Sequence, residues 1–252
     1  MPEHPHSAPS PAPSPRVIDL GSADYQSAYQ HQLAHHAEVL AAREAGSPEV
    51  GRILLVEHVP PVITISRRPG AAAHLLATHD LLARSGVTLA ETDRGGDITY
   101  HGPGQLVVYP IVDLNLLRLG LHDYMRLLEQ AVIDACASFG VATRRDPTAT
   151  GVWTVAEVPA KLAAMGVRVR KWVTLHGLAL NVAPDLAHFG LIVPCGLAGR
   201  PVTSLRELLR DACPAMTQVK RELVARLSAL LSAARVEAAV RSCDHPLPDQ
   251  VD

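Results

Sequence analysis

RGGDITYHGPGQLVVYPIVDL, residues 94–114, runs a glycine-rich polar stretch straight into a β-rich apolar one. Its first twelve residues carry four glycines together with Arg94, Asp97, His101 and Gln105. Glycine lets a backbone turn sharply and approach a ligand closely, so the stretch is either a bare turn or the wall of a site. Its flanks decide what it connects. VTLAE at 87–91 and QLVVYPIVDL at 105–114 both have the composition of strands, which makes the polar stretch a loop between strands. It is neither a GxxxxGK[ST] loop nor a GxGxxG turn opening a helix, so nucleotide binding has no support here.

Outward from this stretch, elements mix without a regular strand–helix alternation. RILLVEHVPPVITIS at 52–66 reads as two β-rich runs broken at Pro60 and Pro61, a strand pair or one strongly bent strand. Tyr25, Tyr29, Leu33, Ala37 and Leu40 recur at helical intervals until Gly46 and Pro48 stop them. A short helix is expected near 74–85, and residues 121–139 form an amphipathic helix with Leu128, Ala131, Val132 and Ala135 on one face. Short β-like pieces follow at 151–155, 162–170 and 172–182, then a loop rich in Pro and Gly over 184–201 and a last helix near 215–234. The expected class is α/β of the α+β type, a mixed and largely antiparallel sheet with helices packed on it. Residues 1–15 hold six prolines and no apolar period and read as a disordered tail, 16–238 as one catalytic domain, and 239–252 as a polar tail.

Composition narrows the function. The 252 residues are 48% hydrophobic and carry a formal net charge of -2, without the basic excess that holds a protein on nucleic acid or an anionic membrane by charge alone. No run of eighteen apolar residues and no signal-peptide h-region is present, so a cytoplasmic protein is expected. Cys136, Cys195, Cys213 and Cys243 stand singly, with no zinc spacing among them.

Three further segments carry candidate chemistry. Cys195 sits between Pro194 and Gly196 in VPCGLAG, a loop whose amides are available to an anion. Cys136 fits the core face of its helix instead. Lys161, in AKLAAMGVRVR, would share a strand face with Ala163, Met165, Val167 and Val169 by the two-residue period. On its own it reads more readily as a lysine snorkelling from a strand end than as a proton carrier. His176, in WVTLHGLALNV, is by itself a satisfied core histidine more readily than a base, and Gly177 beside it suits a place where a ligand or backbone passes close.

Together, RGGDITYHGPGQLVVYPIVDL, AKLAAMGVRV, TLHGLALNV and VPCGL occur in the order seen in lipoyl(octanoyl) transferases, and the chain resembles that family from about residue 17 to 235. The resemblance implies the catalytic fold of biotin and lipoate protein ligases, and transfer of an octanoyl group from acyl carrier protein to a lysine of apo lipoyl domains, those of 2-oxoacid dehydrogenases and of the glycine cleavage H protein. It implies Cys195 as the nucleophile that forms an acyl-enzyme and Lys161 as its acid–base partner. It assigns substrate binding to Arg94, Gly95, Gly96, Tyr100, His101, Gly102, Met165, Gly166, His176, Gly177, Leu178 and Ala179. No cofactor or metal is implied, and a monomer is expected. Arg67, Arg68, Arg144, Arg145, Arg168, Arg170 and Lys171 are candidates for steering acidic protein partners. The alternatives are an ATP-dependent lipoate- or biotin-type ligase, a binding module without catalysis, and a cysteine hydrolase that would pair Cys195 with His176.

Overall fold

Every residue of the run Gln105–Val112 is buried, the mark of a strand in the middle of a sheet covered on both faces. The computed structural model describes residues 14–193 and 199–244. In chain order the elements are β1 (Arg16–Ala23), α1 (Tyr25–Glu44), β2 (Gly51–His58), β3 (Val62–Ser66), α2 (His79–Arg84), β4 (Thr88–Thr92), β5 (Ile98–His101), β6 (Gln105–Val112), α3 (Leu114–Leu117) and α4 (Leu121–Ser138). They continue with β7 (Thr143–Arg145), β8 (Val152–Thr154), β9 (Lys161–Arg170), β10 (Val173–Asn181), α5 (Leu205–Leu209) and α6 (Met216–Asp244).

Seven strands form one sheet in the order β1-β2-β6-β10-β9-β8-β7, and β4-β3-β5 form a smaller one. Among the strands of the described residues only β1–β2 and β3–β4 pair in parallel, so the mixed, largely antiparallel class holds. The large sheet buries Ile53, Val108 and Leu180 under α4 and α6 on one face, and Leu54, Val107 and Ala179 under α1 on the other. The small sheet has its own core around Ile63, Ile98 and Tyr100.

Several elements differ from the sequence reading. The two runs at 52–66 do not pair with each other: after the prolines the chain leaves the large sheet and β3 begins the small one. The loop expected between the strands at 87–91 and 105–114 itself contains β5, which pairs antiparallel with β3. β1 went unpredicted because most of its residues are exposed or half-buried and show no apolar alternation. The expected helix near 74–85 divides into a 3-10 turn at Ala71–His74 and α2. The last helix continues to Asp244, into the stretch read as a polar tail.

α1 turns a different face inward. It buries Tyr25, Ala28, Gln32, His36 and Val39, whereas Leu33 and Leu40 are only partly covered and Ala37 is exposed. Two polar residues lie on the buried face because the strand beneath needs them: Gln32 Oε1 accepts the His176 N–H at 2.7 Å, and His36 Nε2 donates to the Arg170 carbonyl at 3.1 Å.

That need originates at Pro110. Proline has no N–H to give, so β10 pairs with β6 only from Leu178 onward, and the Thr174 hydroxyl bridges the gap by donating to the Pro110 carbonyl at 2.7 Å. In the gap His176 takes a left-handed backbone, φ 58°, which a non-glycine residue enters at a cost of about 1 kcal/mol. The disrupted ladder lies directly at the candidate site.

Candidate active site

Two adjoining hollows occupy the region between the loop 94–96 and the middle of β9 and β10. The first, the narrower, is mainly apolar and is lined by Val107 and Tyr109 of β6, Ala164, Met165 and Gly166 of β9, and His176, Gly177, Leu178 and Ala179 of β10. Tyr25, Arg94, Gly96, Thr99 and His101 complete its wall. The second is a wider cleft of about 950 Å³ lined by Arg68, Gly95, Gly96, Leu121, Met125, residues 148–150, Lys161, Met165, Gly166 and Val167. Gly96, Met165 and Gly166 belong to both, so the cleft is the mouth of the narrower hollow.

The loop presses on β9 with no room to spare. Gly95 N–H donates to the Val167 carbonyl at 2.9 Å, and a Cβ on Gly166 would sit 2.8 Å from the Gly95 carbonyl oxygen. This close approach is what the paired glycines permit. The Arg94 guanidinium is fixed by the Thr64 carbonyl and hydroxyl at 3.1 and 3.0 Å and by the Gly95 carbonyl at 3.1 Å.

Two buried histidines, His101 and His176, line the apolar hollow and a third, His58, packs against His101, and burial keeps each neutral. His58 is pushed down to about 4 by loss of water. Its Nδ1–H donates to the Ala23 carbonyl, which leaves Nε2 to accept from the Tyr109 hydroxyl at 2.8 Å. His101 lies well below the usual histidine range through burial and then the neighbouring His58, and its Nδ1 donates to Gln105 Oε1 at 2.7 Å. His176 is lowered to about 3 by burial, with the Arg94 and Arg168 guanidiniums adding to the effect. Its Nε2–H donates to Asp93 Oδ1 at 2.8 Å, while the other carboxylate oxygen takes the Tyr29 hydroxyl at 2.8 Å and pairs with Arg168. The Asp93 charge is therefore already engaged by a full cation, and a neutral imidazole is enough for the third contact.

Lys161 opens β9 with its side chain buried against the cleft, Nζ 5.1 Å from the centre of the Trp153 ring. The Arg200 guanidinium lies 3.7 Å from the same ring and pairs with Asp146 at 2.5 Å. The β8–β9 register shifts beside it, and Leu162 and Ala163 are both in the core. Strict alternation cannot do that, so Lys161 is not simply in line with Ala163 and Met165. Its backbone is stitched to a distant part of the chain: Lys161 N–H donates to the Pro201 carbonyl at 2.8 Å, and its carbonyl accepts the Thr203 N–H at 3.0 Å. On the other side of the PCG segment, Val193 N–H donates to the His74 carbonyl at 2.8 Å. Cys195 itself lies outside the described residues.

Of the remaining sequence candidates, Arg94, Gly96, His101, Met165, Gly166, His176, Gly177, Leu178 and Ala179 line the apolar hollow, and Gly95 lines the cleft. Tyr100 and Gly102 reach neither. Tyr100 packs in the small sheet's core against Phe189, with its hydroxyl 3.0 Å from His188 Nδ1, and a Cβ on Gly102 would collide with that hydroxyl. Tyr100 lies on the side of β5 turned away from the hollow, and Gly102, just past the strand's end, packs against that tyrosine. Cys136 is a core residue whose thiol burial pushes up to about 12. Among the described residues no group of three or more His, Cys, Asp or Glu is placed to hold a metal ion, and no helix is long and apolar enough to cross a membrane.

Sequence reasoning did not find Asp93, Tyr109, His58 or Glu129. Glu129 is buried in α4 and accepts from Arg126 at 2.6 Å, Arg145 at 3.2 Å and the Gly151 N–H at 3.1 Å, which anchors the turn beside Lys161. A carboxylate interrupting the apolar face of a helix, with the Arg144–Arg145 pair downstream, was the available signal.

Comparison with known proteins agrees with this geometry. Residues 28–228 match the family model of the lipoyl protein ligase A/B catalytic domain. An octanoyltransferase of Bacteroides thetaiotaomicron is 44% identical over 218 residues, covering 86% of this chain and 95% of that protein. An octanoyltransferase of Solibacter usitatus is 49% identical over 189 residues, covering 75% and 81%. In structure the chain is similar to a bi-partite lipoate protein ligase of Thermoplasma acidophilum, with TM-score 0.65, 16% identity and 92% of each chain covered. It is similar also to a lipoate-protein ligase A bound with ATP, with TM-score 0.63, 15% identity and 92% and 94% covered. At these identities the structural likeness is one of fold.

Proposed function

The chain belongs to the lipoyl protein ligase A/B catalytic domain family and is an acyltransferase of octanoyl groups, and on that premise we propose that the group passes from acyl carrier protein to a lipoyl-domain lysine through a thioester on Cys195. In the first half-reaction the Cys195 thiolate, its proton given to the Lys161 amine, attacks the carrier thioester. The C–S bond to the carrier breaks, and the departing thiolate takes the proton back. In the second, the acceptor amine attacks the new thioester and loses a proton to Lys161 as the Cys195 thiolate leaves. One thioester replaces another in the first half, so that step is nearly balanced; amide formation drives the second.

The observation that carries this reading is the double backbone bond from Lys161 to Pro201 and Thr203. It fastens the chain that follows the PCG segment to the first residue of β9, at the cleft that opens into the apolar hollow. Each methylene of an octanoyl chain buried in that hollow contributes about 0.8 kcal/mol. Arg94, His101 and His176 position the substrate from its walls. The exposed Arg67, Arg68, Arg144, Arg170 and Lys171 are available to acidic partners, whereas Arg145 and Arg168 are drawn to Glu129 and Asp93.

The test is purified protein with octanoyl carrier and apo lipoyl domain, without ATP. One octanoyl group is expected on Cys195 by mass spectrometry, discharged when the lipoyl domain is added, and Cys195→Ala should abolish both adduct and product. Undiminished turnover in that variant, or a strict need for ATP, would overturn the proposal.

A further inference from the structure

The apolar hollow has two ends, and its neighbours identify them. At one end it shares Gly96, Met165 and Gly166 with the cleft that holds Lys161, so the reacting carbonyl belongs there. Tyr25, the first residue of α1, is common to the hollow and to a separate outward-facing depression of about 910 Å³ between the start of α1 and β4. Asp24, Gln26, Pro60, Val62 and residues 88–91 form the rest of that depression. Tyr25 therefore stands as a partition between the two spaces.

The partition is held firmly. Tyr25 is 7% exposed, and its hydroxyl donates to Thr92 Oγ1 at 2.7 Å at the end of β4. Its ring lies parallel to Tyr29 with centroids 6.5 Å apart, and tilted against His58 at 5.5 Å. A side chain fixed by a hydrogen bond at its tip and by rings around it cannot swing away to admit more carbons, because close-packed interiors yield little.

We propose that Tyr25 is the end-stop that sets the length of the acyl chain this protein accepts. The terminal methyl abuts the Tyr25 ring, and a chain longer by several carbons has nowhere to go. Removing the ring joins the hollow to the outer depression and lets a longer chain run through. This assignment rests on the acyl-enzyme reading above.

Acyl-enzyme formation is measured on wild type, Tyr25→Phe and Tyr25→Ala with equimolar octanoyl, dodecanoyl and tetradecanoyl carrier thioesters competing, and the adducts are weighed by mass spectrometry. Wild type and Tyr25→Phe should favour octanoyl over dodecanoyl by about tenfold or more, as a closed apolar pocket does. In Tyr25→Ala that ratio should fall at least to parity. Four more buried methylenes, each about fourfold in binding at ~0.8 kcal/mol, set a ceiling of roughly 200-fold on the gain. A folded Tyr25→Ala that keeps the wild-type ratio overturns the end-stop. If circular dichroism shows that the alanine variant has lost its fold, Tyr25→Leu is put through the same competition. Calorimetry with free dodecanoic acid, bound by Tyr25→Leu and not by wild type, supplies a readout that needs no chemistry, and equal binding by both overturns the proposal. Absence of any adduct on wild type would instead strike the acyl-enzyme reading, while the free-acid comparison would still judge Tyr25.

Discussion

Replacing Glu129 by glutamine should damage the protein out of proportion to the one atom exchanged. The Glu129 carboxylate is 1% exposed and only accepts hydrogen bonds, and three donors converge on it: Arg126 and Arg145 on one oxygen, the Gly151 N–H on the other. A glutamine amide has one oxygen and one NH2, so either way round it turns a donor toward a donor. An unsatisfied buried donor costs about 1–3 kcal/mol, and breaking a buried ion pair about 3–5. The arginines are 41% and 35% exposed and can turn to water, which reduces the second figure. A loss of about 2–4 kcal/mol follows, a fall in Tm of roughly 5–15 °C for a chain of this size. Catalysis should suffer too, because a Cβ on Gly151 would stand 2.8 Å from Lys161 Cε and there is no slack between this turn and that side chain. Urea unfolding of Glu129→Gln, Arg145→Met and the double variant reads the coupling, and single-turnover acyl transfer reads the catalytic effect. If Glu129→Gln lies within about 0.5 kcal/mol of wild type, as an ordinary surface change does, the reasoning about converging donors is wrong.

Two other perturbations test the ground beneath the site. Gly177→Ala would place its Cβ 2.3 Å from the Val108 carbonyl oxygen and 2.6 Å from Pro110 Cδ, so β6 and β10 must part, at about 2–4 kcal/mol. Gly190→Ala, with nothing within 4 Å, is the control, and equal midpoints in urea for the two variants would refute the close-approach account. Acid should weaken the fold through the buried histidines. The unfolded chain takes up these protons below about 6.5, whereas the folded one holds His58 near 4, His176 near 3 and His101 well below its usual range. Stability is therefore complete above pH 6.5 and declines as the pH falls toward those values, by up to ~1.4 kcal/mol per pH unit for each histidine. Urea midpoints unchanged from pH 7 to 5 would contradict the neutral assignment.

What the sequence disclosed follows the physics of each signal. β6 and α4 were legible because an all-apolar run and a helical stripe are first-order consequences of burial. The faces of α1 were not, since Gln32 and His36 are buried to serve backbone groups of β9 and β10 that no local pattern reveals. The glycine-rich loop was seen as special, yet its residues divide: Arg94 and His101 face the hollow and Tyr100 faces away, as alternation along β5 demands once β5 is known to be a strand. Lys161 stood out as a charge leading an apolar run, but the bulge beside it and its stitching to Pro201 are long-range facts. Asp93 and Glu129 were missed because a lone acid reads as solvated until its three partners are assembled around it.

The order of strands in the large sheet bears on how the chain emerges from the ribosome. β6 can zip onto β2 early, but its opposite edge waits for β10, which is made only after α3, α4 and three further strands. At roughly 5–20 residues per second the nascent protein displays a bare, apolar β edge for several seconds, an invitation to aggregate. Overproduction should therefore lose unfinished chains to aggregation at that edge before it tests the finished fold.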